Sequence, residues 1–210
     1  MKSRVVTDRK PRLLVLNQYY APGVEATAHL LHQICVALTD DFDVTVVTGM
    51  LSEVEARSGV SVEDGVTVVR VRSTAFPRDR LPLRALNYLT YFVMSAAAAL
   101  RGGRPDVVLC MTDPPFIADL GVGVAKLFRV PLVVVSQDVF PEVAVELGRL
   151  ENPVVIWLLR KMVDFYLRRA DRVVAIGETM GARLTQKGAR PERLAVIPNW
   201  VDTTALEPGD

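Results

Sequence analysis

The chain has 210 residues, half of them hydrophobic, and a formal net charge of +1 at pH 7. That length fits one large domain or two small ones, and that apolar fraction supplies a sizeable core. A near-neutral balance excludes the basic footprint of a nucleic-acid binder, and two cysteines, Cys35 and Cys110, exclude a disulfide framework and favour a reducing compartment.

Residues 1–11 are polar and basic without an apolar stretch, so they predict a flexible start with no secretory signal, and a cytoplasmic protein. Arg12 to Leu16 is a short apolar run that predicts a strand. A loop from Asn17 to Gly23 follows. A helix is expected from about Val24 to Thr39, with Ala26, Leu30, Leu31, Ile34 and Leu38 on one face. Phe42 to Thr48 predicts the second strand, Gly49 to Asp64 reads as irregular, and Val66 to Val71 predicts the third strand.

Pro77 and Pro82 precede a long helix expected over Leu83 to Leu100, which Gly102-Gly103 stops and Pro105 bars from continuing. Its apolar stretch, Tyr88 to Leu100, is short of the roughly 20 residues a membrane span needs. Asp106 to Met111 predicts a strand, and Pro114-Pro115 opens a helix to about Phe128. Leu132 to Ser136 is a very apolar strand. Pro153 opens a further helix ending near Ala170. Arg172 to Ile176, a helix from Glu178 to Lys187, and Arg193 to Ile197 complete the pattern.

Strands that are apolar runs rather than alternations are covered on both faces. With helices between them, they define an α/β class with a doubly wound, mainly parallel sheet. Ligands in such sheets bind outside the carboxyl ends of the strands. The first of these loops, Asn17 to Thr27, lacks G-x-G-x-x-G, and no G-K-[ST] occurs. Gly121 and Gly123 lie inside a helix pattern and read as helix packing. Gly23 precedes a helix, where free backbone N–H groups favour an anion, or it simply makes the turn after Pro22. Gln137, Asp138 and Glu142 follow the most apolar strand, placed to meet a sugar's hydroxyls or a reacting centre. The other reading of Asp138 is a cap for the next helix. Thr112 and Asp113 before Pro114-Pro115 pose the same choice. His29 and His32 have no partners in sequence to complete a metal set.

Arg70, Arg72, Arg78, Arg80, Arg84, Arg101 and Arg104 stand against the single acid Asp79. With the apolar face of the long helix, this Arg70–Arg104 segment reads either as an anionic-membrane contact or as a core helix with solvated arginines.

Six phrases occur in order: Asn17-Gln18-Tyr19-Tyr20-Ala21-Pro22, Val44-Thr45-Val46-Val47-Thr48-Gly49, Thr112-Asp113-Pro114-Pro115, Gln137-Asp138-Val139-Phe140-Pro141-Glu142, Ala170-Asp171-Arg172-Val173-Val174-Ala175 and Ile197-Pro198-Asn199-Trp200-Val201-Asp202. As an ordered set they resemble the N-terminal domain of a family 4 retaining glycosyltransferase of GT-B fold, of the bacterial O-antigen, capsule and colanic-acid type. The resemblance implies an acceptor-binding domain over 12–198 and the start of an interdomain linker over 199–210. It implies sugar transfer from a nucleotide-sugar, a substrate rather than a cofactor, bound mainly by a C-terminal domain supplied in cis or in trans. The acceptor would be a saccharide or a polyprenyl-diphosphate-linked saccharide at the inner membrane face, and no metal is needed.

On this resemblance Gln137 and Asp138 are the catalytic candidates. Gln137 stands where many relatives place a His that touches the transferred sugar. Gly23, Glu25, Thr27, Thr112, Asp113, Glu142, Glu178 and Asn199 line the acceptor and donor cleft. The chain departs from many relatives at Gly23-Val24-Glu25-Ala26, where they carry Gly-Gly or Gly-Ala. By itself, half of such an enzyme is expected to be inactive. Two further readings stay open: a non-catalytic, membrane-recruiting subunit of a split glycosyltransferase, and a non-transferase GT-B enzyme such as a sugar-nucleotide epimerase.

Overall fold

A computed structural model describes residues 9–23, 25–50, 58–74, 76 and 81–201, with backbone alone for 81, 82, 84 and 85. Residues 1–8 of the expected flexible start, Val24, Pro77, Arg78, Asp79, Arg80 and the linker beyond 201 lie outside the described residues, as does the side chain of Arg84.

The strands are β1 (Arg12–Leu16), β2 (Asp43–Thr48), β3 (Gly59–Glu63), β4 (Val66–Arg70), β5 (Val107–Met111), β6 (Leu132–Ser136), β7 (Arg172–Ala175) and β8 (Leu194–Val196). They form one sheet in the order β3-β4-β2-β1-β5-β6-β7-β8, parallel throughout except for the antiparallel β3–β4 pair. The helices are α1 (Ala26–Ala37), α2 (Leu81–Arg101), α3 (Ile117–Phe128), α4 (Glu142–Glu146), α5 (Pro153–Arg169) and α6 (Glu178–Gln186).

Both faces of the sheet are packed, as the apolar strands require. In β1 the side chains alternate between two cores. Leu14 and Leu16 join Tyr91 of α2, Ile117 of α3, Tyr166 of α5 and Leu184 of α6. Leu13 and Val15 join Leu31 and Cys35 of α1. Both cysteines are buried and free, and burial pushes the Cys35 thiol up to about 12 and raises that of Cys110, so neither is nucleophilic near neutral pH.

Strand β3 falls within the stretch expected to be irregular. The signal was local: Asp64 and Gly65 both take positive φ, 49° and 80°, the conformation of a two-residue hairpin turn. Because β3 is an edge strand with Val60 and Val62 exposed, it lacks the apolar pattern of a buried strand. A short helix, α4, does follow the β6 loop, as the capping reading of Asp138 expected. Its N-cap position is Pro141 with no side-chain cap bond, so Asp138 does not cap it. Thr112 and Asp113 do not cap the following helix either, since α3 begins after Phe116, again without a side-chain cap. Asn152 does cap α5, accepting from the N–H groups of Val154 and Val155 at 3.0 and 3.2 Å.

The two glycines of α3 differ. A Cβ on Gly121 would stand 2.5 Å from Cys110 Sγ and 3.0 Å from Leu132 Cδ1, whereas one on Gly123 would meet nothing within 4 Å. Helix packing therefore explains Gly121 and corrects the expectation for Gly123.

Asp119, in the first turn of α3, lies beside buried Tyr166 and Cys110. Burial pushes its carboxyl up to about 7 from an ordinary 3.8. The folded state thus binds this proton more tightly than the unfolded chain. The favourable contribution is complete below about pH 4 and is lost as pH rises through 7. Asp119→Asn is expected to raise Tm by about 3–6 °C at pH 8, roughly 1–2 kcal/mol after solvent screening of a half-buried group, and by nothing at pH 4. Thermal melts of both proteins at the two pH values check this.

Candidate active site

The strand order reverses at β1, which lies between β2 and β5. At such a switch point the loops leaving the two central strands separate to opposite faces and open a crevice. Here the Gln18 N–H, just past β1, donates to the Asp113 carbonyl past β5 at 2.9 Å, closing the floor of that crevice. The Thr48 hydroxyl and the Gly49 N–H hold the Gln18 carbonyl at 2.9 and 3.0 Å.

The loop after β6 is tied to the same floor, since the Gln137 N–H donates to Thr112 Oγ1 at 3.1 Å. Its side-chain amide faces Asn199. Asn199 Nδ2 donates to Gln137 Oε1 at 2.8 Å, and Gln137 Nε2 donates to Asn199 Oδ1 at 3.5 Å. One residue further, Trp200 Nε1 donates to Gln33 Oε1 of α1 at 2.6 Å. The segment leaving β8 therefore crosses the carboxyl edge of the sheet and is pinned at both β6 and α1. Sequence reading offered no sign of the Gln33–Trp200 contact, which joins residues 167 positions apart.

Three polar atoms at these strand ends are buried without a hydrogen-bond partner among the described residues: Asn17 Oδ1, Gln18 Oε1 and Ser136 Oγ. A buried polar atom of this kind costs about 1–3 kcal/mol unless something hydrogen-bonds to it. These residues were not among the expected site residues, although two polar residues closing an apolar strand were a visible signal.

The fold thus brings Gln137, Thr112, Asp113 and Asn199 together. Asp138 is exposed beside them, with no hydrogen bond among the described residues. Glu142 is held elsewhere. It accepts from Lys187 Nζ at 2.6 Å and Arg160 Nε at 3.0 Å, tying α4 to α5 and to the end of α6. Partial burial would raise its carboxyl, but the hydrogen bonds from Lys187, its own backbone and Arg160 hold it below the ordinary value. Glu178 is exposed at the start of α6, and Thr27 is half-buried in α1. Neither bonds to the Gln137 group among the described residues.

At the start of α1 the Gly23 N–H donates to the Tyr20 carbonyl at 3.0 Å, and Glu25 takes the N-cap position. A paired N–H and an adjacent carboxylate leave this end less favourable to an anion than a bare helix terminus. The loop is anchored from below by Arg70, whose Nη2 donates to the Ala21 carbonyl and lies 3.4 Å from Glu63. The histidines serve structure: His32 contacts Tyr20 Oη at 3.1 Å and Asp64 at 3.2 Å, and His29 contacts Gln33.

The four arginines of this run whose side chains are described do not make one surface. Arg70 is buried beneath the first loop, Arg72 is exposed beyond β4, and Arg101 and Arg104 lie exposed at the opposite edge, where the carbonyls of Gly102 and Arg104 accept from Arg12. No described helix is long and apolar enough to cross a membrane. Among the described residues, no group of three or more His, Cys, Asp or Glu is placed to hold a metal ion.

A doubly wound sheet with its crevice at the β1–β5 switch point is the half-molecule architecture of GT-B glycosyltransferases, and solved structures of that type superpose on it. Sucrose-phosphate synthase from Thermosynechococcus elongatus matches with a TM-score of 0.65 at 10% identity, over 95% of this chain and 51% of that one. Anabaena HepE, solved with UDP and glucose, matches with a TM-score of 0.56 at 17% identity, over 91% and 45%. The glycosyl transferase 4-like domain model matches residues 23–200, and the chain belongs to that family. The probable glycosyltransferase WbjE of Pseudomonas aeruginosa is 29% identical over 194 residues, covering 90% of this chain and 47% of WbjE. The chain therefore spans about half the length of each of these three relatives.

Proposed function

We propose that this domain is the acceptor-binding half of a retaining glycosyltransferase that moves a sugar from a nucleotide-sugar to a saccharide or lipid-linked acceptor. The observation that carries the reading is the convergence of Gln137, Thr112 and Asn199 at the carboxyl edge, with the Asp138 carboxylate open beside them.

The roles follow from bonding capacity. Gln137 keeps an unused amide N–H and a lone pair after pairing with Asn199, enough to hold one sugar hydroxyl. Asp138 accepts a hydrogen bond from the acceptor hydroxyl and orients it toward the anomeric carbon. In a same-face substitution the leaving phosphate takes the acceptor's proton, so Asp138 orients the hydroxyl and takes no proton itself. The donor is held mainly by a second domain. HepE's complex with UDP and glucose supports a uridine donor as the first to try.

The experiment is turnover of UDP- and GDP-sugars by this chain alone and after mixing with the donor-binding half of a relative. We expect no release of nucleotide diphosphate from the chain alone and release on mixing. A well-folded pair that stays silent with every donor would overturn the transferase reading.

A further inference from the structure

A pocket of about 720 Å³ opens at the amino edge of the sheet, beside the carboxyl end of α3. Arg104, Lys126 and Arg129 line it, and no acid does among the described residues. All three cations are exposed, and their side chains make no hydrogen bond or ion pair among the described residues. The acids just before β5 and β7 are engaged instead. Asp106 accepts from the Arg12 N–H at 2.8 Å and meets Arg9 at 3.6 Å, and Asp171 accepts from the Leu132 N–H at 3.0 Å.

The cations stand on fixed backbone. The Arg104 and Gly102 carbonyls accept from Arg12 at 3.2 and 2.5 Å, which pins the turn before β5. The Val130 N–H donates to the Ala125 carbonyl at 3.0 Å, as does the Arg129 N–H, and the two close the last turn of α3. Within that closure Arg129 takes φ 56° and ψ 52°, the left-handed conformation usually given to glycine. A side chain is disfavoured there by its own Cβ. Backbone strain of this kind collects at ligand sites.

The pocket also accounts for Gly123, which packing against the sheet does not require. Gly123 lines the pocket, and a Cβ on it would meet nothing within 4 Å. Glycine is a poor helix former, so its presence beside open space leaves that room to a ligand. The carboxyl end of α3 carries about half a negative charge, one reason for cations to gather there. Three full positive charges exceed that several-fold. Guanidinium forks pair with phosphate oxygens in a planar, bidentate manner, and an ammonium adds a compact charge.

We infer that this pocket binds a free oligophosphate, an anion of two or more linked phosphate groups, on Arg104, Lys126 and Arg129 with Gly123 leaving it room. One phosphate group carries about −2 at most at pH 7, so three unpaired cations call for two linked groups. Helix α3 runs from the end of the Thr112–Asp113 loop to this pocket, about 18 Å over its 12 residues, so an anion held here does not compete for the crevice. The inference stands apart from the transferase reading.

Isothermal titration calorimetry of this chain with inorganic diphosphate, at fixed ionic strength, tests the assignment. Diphosphate is expected to bind, and orthophosphate roughly tenfold more weakly for want of the second group. Arg129→Gly should raise Tm by relieving the left-handed residue, yet weaken diphosphate roughly tenfold through the loss of a charge-assisted pairing. Arg104→Gln, at an exposed position, should weaken it similarly. Gly123→Glu, which puts a carboxylate into the pocket from a helix position facing open space, should abolish binding. Arg72→Gln removes an exposed cation beyond β4 and should change nothing. No binding of diphosphate, binding that survives both Arg129→Gly and Gly123→Glu, an equal loss with Arg72→Gln, or equal affinity for orthophosphate would each overturn the proposal. Association with phosphatidylglycerol vesicles but not with free diphosphate would also overturn it, and would make these cations a headgroup contact.

Discussion

On the function proposed above, Asp138→Ala in this domain combined with its donor-binding half is expected to lower kcat/KM for sugar transfer about a hundredfold while leaving Tm within about a degree. The rate loss follows from positioning: an acceptor hydroxyl displaced by about 1 Å from its line of attack costs on the order of a hundredfold. The small stability change follows from the environment, since Asp138 is exposed, caps no helix and has no hydrogen bond among the described residues. Exposed substitutions of that kind stay within about 0.5 kcal/mol. Steady-state kinetics and a thermal melt on one preparation decide the matter. A parallel loss of folded protein would make Asp138 a structural residue instead.

The second large effect is on folding. Gly121→Val is expected to lower Tm by about 10 °C or more, because the added carbons must displace Cys110 and Leu132, both fully packed under α3. Overpacking of a tight core costs about 1–3 kcal/mol and occasionally more, here the upper end because the added Cβ alone would stand 2.5 Å from Cys110 Sγ, and each kcal/mol is worth about 2–4 °C in a chain of this size. Gly123→Ala, two residues along the same helix, should raise Tm slightly. Its Cβ meets nothing, and alanine is preferred to glycine in a helix by about 1 kcal/mol. Opposite signs at the two positions would establish that close approach of α3 to β5 and β6, and not glycine content, sets the packing. Equal destabilisation at both would refute it.

The class of the fold was legible because its signals are local. Runs such as Leu132 to Ser136, broken by Pro, Gly and Asn at helix boundaries, report burial and chain direction without reference to distant residues. The β3–β4 hairpin was less legible for a related reason. An edge strand with one row of exposed valines is not driven by burial, so only the Asp64-Gly65 turn announced it. The site was legible in part. Gln137, Thr112, Asp113 and Asn199 stood in recognisable phrases at strand ends, and the sheet did bring them together.

Other assignments required the third dimension. Glu142 follows Gln137 by only five positions, yet its carboxylate is turned to Lys187 and Arg160. Arg70 reads as one of a basic run, but parallel pairing of β4 with β2 buries it under the Ala21 carbonyl. Pairing of Trp200 with Gln33, and the pocket of Arg104, Lys126 and Arg129, depend on which strand ends lie side by side. By itself the sequence determined the alternation of strands and helices, the covered sheet and the edge at which the strand-end loops gather, since these follow from short-range patterning and chain direction. Only the tertiary structure decided which side chains meet, because strand order is set by long-range packing and not by position along the chain.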